Sequence, residues 1–314
     1  MNLSDMSLKK MRQGLNLNFC YVKLVNLKII LFPKTKRRQV VNLIEINQES
    51  CNQDGICAAV CPMHLLDFEK GQIPKPIDHA DELCIRCGHC VTVCPTSSLS
   101  HREMASDQCL PVQKELLLSE AQCEQFLRNR RSIRVYKDKP VSKEDLQRLI
   151  EIARYAPSGH NTQTAEWLVL ANKDDLQKYS GIIVDWLRWM VANMPEFAAS
   201  MHMEDTITGA EKDMNVILRD APVVIVAHAH QDDLLASTTG TIALIYLELA
   251  ATGMGLGCCW AGFFNAASTT FPAMMEALSL PEGHKSLGAM MVGYPKFRYQ
   301  RLPMRNTPKI IWRL

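Results

Sequence analysis

Long apolar blocks separated by polar punctuation dominate the second half of the chain. Residues 223–229 form a continuous apolar run of the length that suits a strand buried on both faces. Residues 287–293 form another, closed by Tyr294 and Pro295. Between them, residues 237–252 are apolar on most sides and lack proline until Gly253, which predicts a core helix. Leu146, Leu149, Ile150 and Ala153 recur at helical spacing behind Ser142-Lys-Glu-Asp145, which reads as a capping box. Ser119 predicts the opening of a helix over 120–131, with Ala121, Phe126 and Leu127 available to one face. Residues 167–171 read as a strand, 174–179 as a helix and 258–264 as a strand. Trp186, Trp189, Met190, Met194, Phe197, Met201 and Met203 crowd the interval before residue 223 and read as core or subunit interface. The alternation predicts an α+β or α/β domain with one sheet covered by helices.

The first third follows a different rule. A strand over 41–46 leads into two copies of a cysteine frame offset by 33 residues, Cys51 to Cys84. The second copy is Cys84-Ile-Arg-Cys87-Gly-His-Cys90-Val-Thr-Val-Cys94-Pro95, which spells C-x2-C-x2-C-x3-C-P. A tight loop of this kind presents three thiolates to one cubane, and it is the run with which bacterial ferredoxins hold a [4Fe–4S] cluster. A structural zinc site would ordinarily use two separated C-x2-C pairs instead. The first copy, Cys51-Asn-Gln-Asp54-Gly-Ile-Cys57-Ala-Ala-Val-Cys61-Pro62, has Asp54 where the second cysteine belongs. In two-cluster ferredoxins the fourth cysteine of each run serves the other cluster. By that resemblance one set is Cys84, Cys87, Cys90 and Cys61, and the other is Cys51, Asp54, Cys57 and Cys94. A carboxylate holds iron less firmly than a thiolate, so the Asp54 corner is the labile one. An Asp-ligated [4Fe–4S], a [3Fe–4S] cluster and an empty frame all remain open.

Composition bounds the rest. The 314 residues leave room for about two domains, and 47% of them are hydrophobic. A formal net charge of +2 gives no ground for nucleic-acid binding, and no run of 18 apolar residues is present to span a membrane. Seven of twelve cysteines belong to the two frames; Cys20, Cys109, Cys123, Cys258 and Cys259 are scattered. Oxygen-sensitive clusters beside free thiols suit a reducing cytoplasm. Residues 1–38 carry nine Lys or Arg against Asp5 alone, and the apolar stretch 27–32 is broken by Lys28. Residues 1–40 therefore read as a basic, poorly ordered extension rather than a secretory leader. The expected organisation is that extension, a two-cluster domain over 41–101, a linker over 102–118 and a second domain over 119–314.

No nucleotide fingerprint is present. Gly253-Met-Gly255-Leu-Gly257 follows a helix and leads into a strand, the reverse of a dinucleotide-binding turn. Two other motifs precede it: Arg130-Arg131-Ser132-Ile-Arg134, and Ala156-Pro157-Ser158-Gly159-His160-Asn161-Thr162-Gln163. Gly255-Leu-Gly257-Cys-Cys-Trp260-Ala261-Gly262 and Gly293-Tyr294-Pro295 complete the series. In this order and spacing, residues 120–314 resemble the nitroreductase family of FMN enzymes. The resemblance implies an α/β sandwich with helices around a central mixed sheet, and a homodimer with FMN at the subunit interface.

Guanidinium groups suit a phosphate dianion. The resemblance gives the phosphate and ribityl end to Arg130, Ser132 and Arg134, with Arg131 alongside. Pro157, Ser158, Asn161 and Gln163, supplied by the partner subunit, meet the ring or ribityl chain. Ala261 and Gly262 bring backbone N–H groups near the flavin ring. Arg305 is a second phosphate ligand, with Arg301 as substitute, and Ile310, Ile311 and Trp312 suit a tail that wraps a partner. The Trp- and Met-rich stretch covers the flavin in some relatives, which sets a substrate-lid reading beside the core reading. No catalytic triad or acid–base carboxylate pair is evident, and His160, His228 and His230 read as isolated. The implied activity is reduction of a small acceptor such as a nitroaromatic or quinone. Its electrons come through the clusters from a ferredoxin-like donor, or from NAD(P)H. A relay flavoprotein passing electrons to a partner protein is the alternative.

Overall fold

In the computed structural model, residues 22–25, 28–31, 42–212 and 214–314 are described. The basic extension therefore lies largely outside the described residues; within it only β1 (Val22–Val25) and β2 (Lys28–Leu31) are seen, as an antiparallel pair. The chain divides into two compact units, residues 1–84 with 88–110, and residues 85–87 with 111–314.

The first unit is built from short pieces. β3 (Ile44–Ile46) pairs antiparallel with β6 (Leu99–His101), and β4 (Leu66–Asp67) with β5 (Lys75–Pro76). Three short helices, α1 (Ile56–Ala59), α2 (Ala80–Leu83) and α3 (His89–Val93), complete it. Its buried hydrophobic cluster is Leu43, Ile44, Cys57, Leu65, Leu66, Ala80, Val91 and Leu99.

The second unit is a sandwich. β7 (Glu166–Leu170), β8 (Val223–His230), β9 (Gly257–Trp260) and β10 (His284–Gly293) form one sheet in the order β7-β8-β10-β9. Every pairing in it is antiparallel. The mixed character expected of this sheet is therefore not expressed between neighbours. The helix after β8 returns the chain to β9 in the same direction as β8, but β10 inserts between them and runs against both. Alternate residues of the central strands face opposite layers, as the strand period of two requires. Val223, Ile225, Met290 and Val292 pack with α5 (Lys143–Ala153) and α9 (Ala236–Gly253). Val224, Val226, Ala289 and Met291 pack with α6 (Lys173–Asn193), α10 (Gly262–Thr270) and α11 (Pro272–Leu278).

Element ends depart from the sequence reading for local reasons. α4 (Glu120–Asn129) stops before Arg130, whose backbone is extended (φ −57°, ψ 130°), and it buries none of its residues. The full capping box sits here, where Ser119 and Gln122 bond reciprocally. At α5 only half of the predicted box forms. Ser142 accepts from the Asp145 N–H, but the Asp145 carboxylate instead accepts from the Tyr294 hydroxyl at 3.1 Å. β9 ends at Trp260 rather than 264, because Ala261 leaves the strand and caps α10. The helix predicted over 174–179 runs on to Asn193, followed by α7 (Pro195–Ser200) and α8 (Met203–Glu211). The Trp- and Met-rich stretch is split. Trp186, Met190 and Met203 are core, whereas Trp189, Met194, Phe197 and Met201 are exposed. Among the described residues no helix is long and apolar enough to cross a membrane.

Candidate cofactor sites

The 33-residue repeat is written into the backbone of residues 51–101. Left-handed residues recur in register: Gln53 with Arg86, Gly55 with Gly88, and His64 with Ser97. Gly55 and Gly88 (φ 71° and 75°) each cap the short helix that carries the next cysteine, Cys57 or Cys90. A Cβ would be strained at that φ and would run into the Phe68 ring at Gly55 or into Met104 at Gly88. The second helical segments and following strands, α1 with β4 and α3 with β6, repeat at the same interval.

Cys51, Asp54, Cys57 and Cys94 line one pocket, floored by Ile46, Leu99 and Pro74. Burial raises the Cys57 thiol pKa, and charge on Cys94, Asp54 and Cys51 pushes it further, a sign of how close these four groups lie. Burial also opposes ionisation of Cys94, but hydrogen bonds from Ser98 and Thr96, side chain and backbone, bring it down to about 7. Ser98 Oγ lies 3.2 Å from the Cys94 sulfur. Asp54 Oδ1 accepts the Ile56 N–H at 3.0 Å, which fixes the carboxylate and leaves Oδ2 for another partner. In the other set, Cys61 accepts the Leu65 N–H at 3.4 Å, and Cys84 sits 3.7 Å from His101 Nε2. Cys61, Cys84 and Cys90 pack against the unit's apolar cluster, and Cys87 is half-buried.

In the second unit, the segment carrying Arg130, Arg131, Ser132 and Arg134 is tied to β9 by the Ile133 N–H, which donates to Cys258 O at 2.8 Å. Arg130 Nη1 donates to Glu248 Oε1 at 2.7 Å; the glutamate is 3% exposed and the arginine 28%. Arg134 points a nitrogen at its own loop, 3.5 Å from Ser132 O, and the Arg131 guanidinium lies over the Tyr299 ring. The Cys259 thiol reports the local field. Burial raises its pKa, Arg134, Arg219 and Arg130 pull it down, and Glu248 pushes it up again.

The loop around Pro157 is backbone-strained. His160, Asn161 and Gln163 all have left-handed φ of 50–55°, which is uncommon for non-glycine residues and concentrates at ligand sites. Ser158 Oγ accepts the Gln163 N–H at 3.0 Å, and Asn161 donates to the carbonyls of Ile85 and Arg86. Pro157 and Gln163 are exposed. Ala261 is buried and its N–H is already bonded to Ala289 O at 2.9 Å, so of the Ala261–Gly262 pair the unpaired helix-start amide is that of Gly262. Arg301 and Arg305 are exposed on an irregular tail, as are Ile310, Ile311 and Trp312.

Three residues escaped the sequence reading. Glu248 is an acid in an otherwise apolar core helix, a pattern that demands a buried partner, but nothing local names Arg130, which lies 118 positions away. Arg219 stands alone in the sequence without a motif. His228, read as isolated, is not so: its Nδ1 lies 3.0 Å from His284 Nδ1 on the neighbouring strand.

Comparison with known proteins agrees with this division. The model of the nitroreductase family matches residues 127–294, just over half of the chain. The chain belongs to the nitroreductase family. The model of the 4Fe-4S dicluster domain matches residues 50–98, so this family member carries an iron–sulfur domain ahead of its oxidoreductase domain. A protein of Archaeoglobus fulgidus, provisionally named NADH dehydrogenase/NAD(P)H nitroreductase, is 26% identical over 56% of this chain and 86% of its own length. The FMN reductase [NAD(P)H] of Bacillus subtilis is 27% identical over 56% of this chain and 67% of its own. A Bacteroides fragilis nitroreductase solved with bound FMN shares the fold at 21% identity and a TM-score of 0.51, covering 62% of this chain and all of that one.

Proposed function

We propose that this nitroreductase-family oxidoreductase binds FMN, takes electrons in through its iron–sulfur domain and reduces a small acceptor such as a nitroaromatic or quinone. The observation that carries the reading is the segment 130–134, three guanidinium groups in five residues tied to β9 through the Ile133 N–H bond to Cys258 O, in a chain that also holds a paired cysteine frame. A phosphate dianion is the natural counter-ion for such a cluster. Glu248 holds Arg130 by one nitrogen and leaves its other donors to a ligand. Ser132 adds a hydroxyl to the same end, Arg131 adds charge beside it, and Arg305 supplies a cation from the exposed tail.

Pro157, Ser158, Asn161 and Gln163, contributed by a second copy of the chain, hold the ring and ribityl chain. The strain in that loop is of the kind a ligand clamp stores. The Gly262 amide, at the positive end of α10, faces the ring edge, and a Cβ at that residue would meet no protein atom, which leaves room for a flat ligand. FMN, when bound, supplies the hydride chemistry that no side chain of this domain provides. The exposed apolar tail at Ile310, Ile311 and Trp312 suits a homodimer in which each tail covers the other subunit.

For the clusters, one set is Cys51, Asp54, Cys57 and Cys94, whose members share a pocket. The other is Cys61, Cys84, Cys87 and Cys90. A low-potential donor such as reduced ferredoxin feeds them; the names of the relatives favour NAD(P)H as a direct donor instead. Iron, sulfide and flavin analysis of protein purified anaerobically tests the assignment. Two clusters' worth of iron and one FMN per chain are expected. Iron for less than one cluster, or no retained flavin, contradicts it.

A further inference from the structure

We propose that Glu166, His228 and His284 form a binding site for a divalent transition-metal ion, with zinc(II) the ion best matched to two imidazoles and one carboxylate. The site is independent of the flavin and cluster assignments. One ligand atom from each of the three residues falls within 4.8 Å of the others. The two imidazoles are the closest, with His228 Nδ1 3.0 Å from His284 Nδ1. Two nitrogens bound to one zinc at about 2.05 Å stand about 2.9–3.4 Å apart for angles between octahedral and tetrahedral. The pair is therefore already at ligand spacing. Glu166 is exposed at the rim, so a change of rotamer can bring its carboxylate in.

Sheet register explains why these residues meet. Glu166 on β7 and Ser286 on β10 both lie opposite His228 on β8, and His284 lies opposite His230. Residues directly opposite on neighbouring strands share a face, as do His228 and His230 two positions apart. One end of one sheet face thus gathers donors from three strands. His230 stands edge-on to His284, with ring centroids 5.8 Å apart, and turns its Nδ1 toward Asp232, so it buttresses the pair rather than joining it.

A second observation points to an occupant. Ser286 is 5% exposed, its hydroxyl has no hydrogen-bond partner, and it faces His228 directly. Three protein ligands leave a fourth position on zinc for water, and a bound water would give that hydroxyl its partner. The donor set excludes thiolate, which separates this site from the cysteine frames, and it has too few oxygens for calcium or magnesium. A metal here would pin β7, β8 and the start of β10 together, closing the sheet at the end where β8 leaves it.

The competing account is a plain hydrogen bond between two imidazoles. Titration of the intact, anaerobically purified protein with zinc(II), followed by zinc-edge X-ray absorption, decides between them, because iron–sulfur clusters do not contribute at that edge. The proposal expects one zinc per chain with a shell of nitrogen and oxygen only. Glu166→Gln and His284→Ala should each weaken binding by about tenfold or more, with iron and flavin content unchanged. His202→Gln, at an exposed histidine on the cap of α8, should leave binding as it is. No stoichiometric binding, sulfur in the shell, or equal affinity in both ligand variants would overturn the site.

Discussion

The two units hold themselves together by different means. Among the described residues, the first encloses eight buried hydrophobic residues, and its regular elements are two to five residues long. The second buries clusters of twenty-four and seventeen residues on the two faces of one sheet. Short elements around so small a core do not offset the entropy of ordering the chain, so a domain of the first kind depends on what its cysteines bind. The second unit buries apolar clusters on both faces of its sheet, a core of the size that needs no metal to close it. Clusters held by the cysteine frames would thus be structural, whereas the core of the second unit needs no bound group to form.

The largest effect should come from stripping the clusters by chelation under anaerobic conditions. Amide hydrogen exchange is expected to show protection lost across residues 42–110 while β8 and β10 keep theirs. Retained protection in the first unit would remove the contrast. In the sheet domain the corresponding injury is a cavity. Leu247 is fully buried between α9 and the sheet, and Leu247→Ala should cost about 2–5 kcal/mol in denaturant unfolding, with cluster content unaffected.

Arg130→Ala ranks next. It leaves the Glu248 carboxylate buried without its cation, at a cost of about 3 kcal/mol, and it should also weaken FMN binding. Arg130→Ala paired with Glu248→Gln is expected to recover much of the stability and none of the flavin affinity. Recovery of both would make the arginine purely structural.

Legibility in the sequence differs between the regions for the same physical reason. Ligand spacing around a cluster is a local constraint, so Cys84, Cys87, Cys90 and Cys94 declare themselves within eleven residues. The pairing of Ile44 with His101 does not, because strands of three residues carry no readable period. In the sheet domain the strands and core helices are plain from continuous apolar runs such as 287–293. Its interacting polar pairs are assembled across long intervals, Arg130 with Glu248 and His228 with His284, 118 and 56 positions apart. No local pattern encodes such meetings, and only the register of β8 against β10 brings the histidines together.

Smaller effects sharpen the comparison within the first unit. The two cysteine frames repeat three left-handed positions at a 33-residue interval, yet differ at Asp54 and Cys87. Asp54→Cys should slow iron loss in air, followed by the electron paramagnetic resonance signal of a three-iron cluster. The same signal in variant and wild type would show that Asp54 is no ligand. Smallest of all is a contrast in thiol reactivity. Burial raises the Cys258 pKa far above its ordinary value and keeps the thiol protonated, whereas Cys123 is exposed. Alkylation of the folded protein at pH 8, mapped by mass spectrometry, should mark Cys123 and spare Cys258.

The central claim is that electrons reach the flavin by way of the clusters. Stopped-flow bleaching of the flavin absorbance, with reduced ferredoxin as donor, compares wild type with Cys87→Ser. Cys87 lies outside the proposed flavin ligands, so FMN content should be equal in the two proteins while bleaching slows severely in the variant. Equal rates, or faster bleaching of the wild type by NADPH than by ferredoxin, would contradict the account.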